Sequence, residues 1–116
     1  MVESYRDLKV WQRAIQMTLG IYRITTGFPK EELFGLTSQM RRASVSVAGN
    51  IAEGYGRNST GEYKQMLGIA RGSNLELQTH LFIARELGYS KPEHLTQAES
   101  LSNEVAKMLN SLIAKL

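Results

Sequence analysis

The chain contains no cysteine. Disulfide cross-links, thiol nucleophiles and cysteine-ligated metals are therefore excluded, and the fold must be held by its core. Only two prolines, Pro29 and Pro92, interrupt it, so long helices meet little opposition elsewhere. Aromatic residues are 8% of the total, few for a protein that would read bases by stacking; Tyr5 and Tyr55 are the candidates. No apolar run approaches the roughly eighteen residues that a membrane span requires. The opening stretch MVESYRDLKVWQ also lacks the apolar centre of a secretion signal, so the expected location is the cytoplasm.

What is present suits one globular unit. The 116 residues with 42% hydrophobic content can bury a single core, and residues 1–116 are expected to form one domain. The 14 basic and 11 acidic side chains give a net charge of +3. Ten of the basic and six of the acidic groups precede residue 72, so a polyanion is expected to meet the first half of the chain.

Helical periodicity runs throughout. Leu8, Trp11, Ile15, Leu19 and Tyr22 recur at three- and four-residue steps between about Tyr5 and Thr25, with a second stripe of Val10, Ala14, Met17, Ile21 and Ile24 beside them. A second helix starts within PKEELFGLT and runs to about Glu53, with a seam of Leu36, Met40, Ala43, Val47 and Ile51. STGE opens a third, in which Ser59 and Glu62 have capping-box spacing and Tyr63, Leu67, Ala70, Asn74, Leu77, Leu81 and Ala84 form the seam. Gly88 stops it. SKPE opens a fourth, with Ser90 as the expected cap, Pro92 in the first turn and a seam from Leu95 through Ala98, Leu101, Val105 and Met108 to Leu112. No segment alternates as a strand would. Four such helices joined by short turns predict an all-α, up-down-up-down antiparallel four-helix bundle.

The segment RRASVSVAGNIAEGYGR carries polar groups on a core-like pattern. Gln39, Arg42, Ser46, Asn50, Glu53 and Arg57 form one stripe of the second helix, facing a third-helix stripe that contains Ser73, Glu76 and His80. Arg42 is expected opposite Ser73 and bonded to Glu76, because a lone buried charge costs several kcal/mol. Asn50 and Glu53 are expected to bond the free amides of the GYGRNSTG loop. Arg42, Asn50, Glu53, Ser73 and Glu76 are thus a structural polar network. Mid-helix glycines such as Gly49, Gly68 and Gly72 each cost about 1 kcal/mol, and close approach of the second and third helices is the expected compensation.

Catalytic chemistry has no motif. His80 and His94 lie on different helices, Glu76 and His80 offer only two metal ligands, and no Glu-x-x-His pair occurs. GYGRNSTG lacks the Gly-Lys-Ser/Thr ending of a phosphate-binding loop. No enzyme activity, metal or cofactor is expected. For nucleic acid, the candidates are Arg6, Lys9 and Arg13 on the solvent side of the first helix, with Arg57 and Lys64 near the next turn. The double stripe of the first helix leaves two options for Val10, Met17 and Ile21: an oligomer interface, or packing against neighbouring helices.

YRDLKVWQRA, FPKEELFGLTSQMRRASVSVAGNIAEGYGR, EYKQMLGIARGSNLEL and LGY resemble, in order and spacing, the 23S rRNA intervening-sequence proteins of bacteria. The resemblance covers nearly the whole chain, and the QMRR to NIAEG block is its most specific part. It implies a bundle that assembles into a ring, a homopentamer, with a basic surface for RNA or DNA. At the level of fold the chain is also similar to the accessory proteins of diversity-generating retroelements, which are pentameric partners of a reverse transcriptase. That similarity implies an alternative, a protein-binding adaptor without nucleic-acid affinity.

Overall fold

Ser4 starts the structure with a capping box. Its hydroxyl accepts the Arg6 amide at 3.0 Å, and the Asp7 carboxylate accepts the Ser4 amide at 3.1 Å. The result is a separate 3₁₀ turn, Tyr5–Asp7, after which Leu8 turns extended and α1 begins at Lys9. The computed structural model describes residues 1–116 and has α1 Lys9–Thr26, α2 Leu36–Tyr55, α3 Thr60–Glu86 and α4 Pro92–Lys115, with no strand. None of the helices is long and apolar enough to cross a membrane.

The second helix starts within PKEELFGLT as expected, at Leu36 near the end of that stretch, and not at the Pro29 turn. Pro29 opens a short 3₁₀ turn, Lys30–Glu32, and the Glu32 carboxylate accepts the Leu36 amide at 3.1 Å, supplying one of the acceptors that the start of α2 needs. Ser59 caps α3 by accepting the Glu62 amide at 3.1 Å. Beyond Glu86 the chain turns through Gly88 at φ 74°, and the Tyr89 amide reaches back to the Ala84 carbonyl at 2.9 Å, a Schellman-type stop for which glycine is the suitable residue. Ser90 is not the cap of α4. It adopts φ 68°, and Lys91 takes the cap position ahead of Pro92.

Interhelical contacts fix the topology. The Thr18 hydroxyl bonds the Ser44 carbonyl and Arg41 Nε bonds the Thr25 hydroxyl, so α1 and α2 are antiparallel. Arg71 meets Asn110 while Arg85 meets Glu99, which makes α3 and α4 antiparallel. Arg13 meets Glu104, whereas residues 20–24 line a groove with residues 94–101, so α1 and α4 also run oppositely. The diagonal pairs α1/α3 and α2/α4 do not approach. This is the up-down-up-down bundle, 43 Å long.

The seams of α2 and α3 fill the core as expected, and in α1 the second stripe is the more deeply buried, with Leu8, Trp11 and Ile15 of the first packed at the edge of the core. Val10, Met17 and Ile21 are buried within the monomer, with Met17 and Ile21 at 0% exposure, so they cannot form an oligomer interface. Leu19 and Tyr22 face solvent instead. Thr18 and Thr25 make this possible: each donates its hydroxyl to a carbonyl four residues back, at 2.8 and 2.7 Å, which permits burial at low cost. The glycines also depart from expectation. A Cβ on Gly54 would sit 2.9 Å from Met66 Cβ, a true close approach, whereas Gly49, Gly68 and Gly72 face open space.

Candidate nucleic-acid interface and interhelical cleft

Antiparallel packing brings three distant segments to one end of the bundle: the start of α1, the α2–α3 turn and the end of α4. The 3₁₀ turn at Tyr5–Asp7 packs on α2, which confirms this placement. Lys9, Lys107 and Lys115 line one open groove of about 350 Å³ with Leu8, Val10 and Met108. Arg6, Arg57 and Lys64 are exposed at the same end. Lys107 and Lys115 were outside the sequence-based candidates, because only folding places them beside Lys9. The opposite end gathers Glu31, Glu32, Glu86 and Glu93, with Lys30 and Lys91. There Tyr89 donates to Glu32 at 3.0 Å and packs against Phe28.

The basic candidates are not equivalent. Arg13 Nε lies 2.8 Å from Glu104, and Arg57 is paired with Glu53 one turn earlier, so both charges are partly offset. Arg6, Lys9, Lys64, Lys107 and Lys115 take part in none of the three ion pairs between arginines and carboxylates. Those five are the cations at this end of the bundle that no carboxylate offsets. Tyr5 packs edge-on to Trp11, and Tyr55 edge-on to Tyr63.

Between α2 and α3 lies an open cleft of about 280 Å³, lined by Gln39, Arg42, Ala43, Ser46, Ser73 and Glu76. The expected Arg42–Glu76 bond is absent: both reach the cleft, but no ion pair joins them. The expectation assumed burial, and both side chains are exposed; a solvated pair gains little from contact. Ser46, not Arg42, lies opposite Ser73, with the hydroxyls 2.9 Å apart, one helical turn from the expected register. Asn50 donates to the Ser46 carbonyl and hydroxyl rather than to the loop. Glu53 takes Arg57 instead of the loop amides, because Gly56 and Arg57 already donate to carbonyls of α2.

His80, one turn beyond Glu76 on α3, is 6% exposed. Its Nε2 is 3.6 Å from the Glu76 carboxylate, and its Nδ1 is buried without a partner. Burial lowers its pKa below the usual histidine value, opposed in part by Glu76, so the ring is neutral at pH 7. No three His, Asp or Glu side chains come together as a metal cage. The polar core contact missed by sequence reading is Asn74 with Ser102, both at 0% exposure. Its signal was visible, an asparagine within an otherwise apolar seam.

Over residues 6–111 the sequence matches the family described as 23S rRNA-intervening sequence protein. No curated protein matches. Among solved structures, the chain is similar to a protein of unknown function from the S23 ribosomal protein family of Bacteroides thetaiotaomicron VPI-5482. The TM-score is 0.83 at 23% identity, covering 90% of this chain and 95% of that one. At this identity the likeness concerns the fold.

Proposed function

The chain belongs to the 23S rRNA-intervening sequence protein family, and from that premise we propose a non-enzymatic homo-oligomeric scaffold, pentameric as the resemblance implies, whose basic end binds RNA or DNA. The observation that carries this reading is the convergence of five unneutralised cations, Arg6, Lys9, Lys64, Lys107 and Lys115, from separate segments onto one end of the bundle. Each can neutralise one phosphate and release its counterion. A single such end would bind weakly, and repetition around an assembly would raise the avidity. At the basic end Tyr5, Trp11, Tyr55 and Tyr63 are all half-buried, which favours contact with the phosphate backbone over base reading.

The test is titration of fluorescent single-stranded and duplex RNA and DNA at several salt concentrations. Binding that weakens steeply with salt, and at least tenfold further in the Lys9→Glu, Lys107→Glu double variant, is the expected result. Nuclease-treated protein that binds none of these probes at low salt would overturn the nucleic-acid reading.

A further inference from the structure

The bundle presents two apolar faces that nothing within the monomer covers. On α3, Leu75, Phe82, Ile83 and Leu87 are 40–61% exposed, with Ile69 at 47%. Gly68 and Gly72, bare of contacts, leave hollows beside them. On the α1/α2 side, Leu19, Tyr22 and Val45 are 48%, 42% and 48% exposed. The Thr18–Ser44 hydrogen bond sets Leu19 and Val45 level on adjacent helices, and Arg41 stacks on Tyr22 with its guanidinium carbon 4.7 Å from the ring centre. α1 and α3 occupy diagonal corners, so the two faces cannot meet within one molecule. The outer side of α4, with Ser100, Asn103, Lys107 and Ser111 exposed, is polar by contrast.

Exposed carboxylates occur beside the α3 face and not beside the α1/α2 face, and Arg71 of α3 is turned toward Asn110 of α4. Glu76 and Glu86, both on the half of α3 that bears the apolar side chains, have no cationic partner, since the His80 ring beside Glu76 is neutral. Arg23 and Arg41, beside Leu19 and Tyr22, have no carboxylate partner. Contact of α3 with a second α3 about a two-fold axis near Leu75 would bring each Glu76 close to its own copy, a like-charge contact that costs affinity. Contact between unlike faces matches apolar to apolar and acid to arginine.

We infer that the α3 face around Leu75 and Phe82 of one copy docks head-to-tail on the Leu19, Tyr22 and Val45 face of the next. This rests on the homo-oligomeric reading above and names the surfaces that build it. Unlike faces repeat from copy to copy, so such contacts close into a ring or extend as a filament, and no single pair satisfies both faces.

Light scattering on size-exclusion chromatography of Phe82→Glu, Leu19→Glu and their equimolar mixture tests this. Both positions are exposed, and unchanged circular dichroism checks that each variant folds. Each variant alone is expected to be monomeric. The mixture is expected to form a one-to-one dimer, because the Leu19→Glu protein keeps an intact α3 face and the Phe82→Glu protein an intact α1/α2 face. A monomeric wild type would overturn the oligomer itself. An oligomeric wild type that both variants leave intact would overturn only these faces. Loss of assembly in Phe82→Glu alone would show α3 pairing with itself, and a mixture that stays monomeric would equally overturn the head-to-tail contact.

Discussion

Asn74 and Ser102 join α3 to α4 by a reciprocal pair of hydrogen bonds. The Asn74 amide donates to the Ser102 carbonyl at 2.9 Å, and the Ser102 hydroxyl donates to the Asn74 side-chain oxygen at 2.8 Å. Gln78 donates to the same hydroxyl at 2.9 Å. Every polar atom here is occupied, so an asparagine is tolerated at the centre of the core and only one axial alignment of the two helices satisfies it.

Asn74→Ala should therefore destabilise the bundle by about 2–3 kcal/mol, since it leaves a small cavity, the Ser102 hydroxyl proton without its acceptor and the Ser102 carbonyl without its donor. Ser102→Ala should cost about 1–2 kcal/mol, and the double variant less than the sum, because the second change removes an already orphaned group. Urea unfolding of the four proteins measures the coupling. Strict additivity would mean that the two residues act independently.

His80 predicts a pH dependence. Burial lowers its folded pKa beneath the unfolded value of about 6.5, so the unfolded chain binds the proton more readily and stability rises with pH through this range. The contribution of His80 is complete above about pH 6.5 and is lost as pH falls from there toward the lower folded value. Glu76, the nearest charge, opposes the loss in part. Thermal melts between about pH 5 and 7.5 should show a midpoint that falls on acidification, and His80→Gln should flatten that slope. An equally steep profile in the variant would assign the effect to other groups.

The Arg13–Glu104 pair is open to solvent, with both side chains 43% exposed. Glu104→Gln should change unfolding free energy by less than about 1 kcal/mol. It should also free the Arg13 charge and steepen the salt dependence of the proposed RNA or DNA binding by about 0.7–0.9 in log-log slope. An unchanged slope would place Arg13 outside the footprint.

Two glycines should respond with opposite sign. Gly54→Ala gains helix propensity of about 1 kcal/mol, but its Cβ would meet Met66 Cβ at 2.9 Å and Tyr63 Cδ1 at 3.1 Å, so net destabilisation of about 1–3 kcal/mol is expected. Gly20→Ala, in α1 with nothing within 4 Å, should stabilise by about 0.5–1 kcal/mol. Chemical denaturation of the two variants gives the comparison directly, and a stabilising Gly54→Ala would mean that α2 and α3 part at little cost.

The four helices were legible because their apolar periodicity is long and their stops, Gly88 above all, have local causes. The orientation of α1 was not. Trp11, Leu19 and Tyr22 look like the stronger stripe by size, while Thr18 and Thr25 look polar; the decisive bonds to Ala14 and Ile21 carbonyls become apparent only once the helix is built. The Arg42–Glu76 expectation placed two long side chains on facing helices correctly but took them to be buried. Three of the five cations at the basic end, Arg6, Lys9 and Lys64, were readable. The other two, Lys107 and Lys115, lie more than ninety residues downstream of Lys9, and no local pattern links them to it.

Residue 1, residue 116 and the Arg57–Ser59 hairpin all emerge at the cation-bearing end, whereas the Gly27–Gly35 connection lies at the far one. An affinity tag fused at either terminus would hang across the rim proposed to bind a polyanion, and a polyhistidine or acidic tag would distort any affinity measured there. A small label at fully exposed Phe34, roughly the length of the molecule away, leaves that rim bare and gives binding assays an unobstructed reporter.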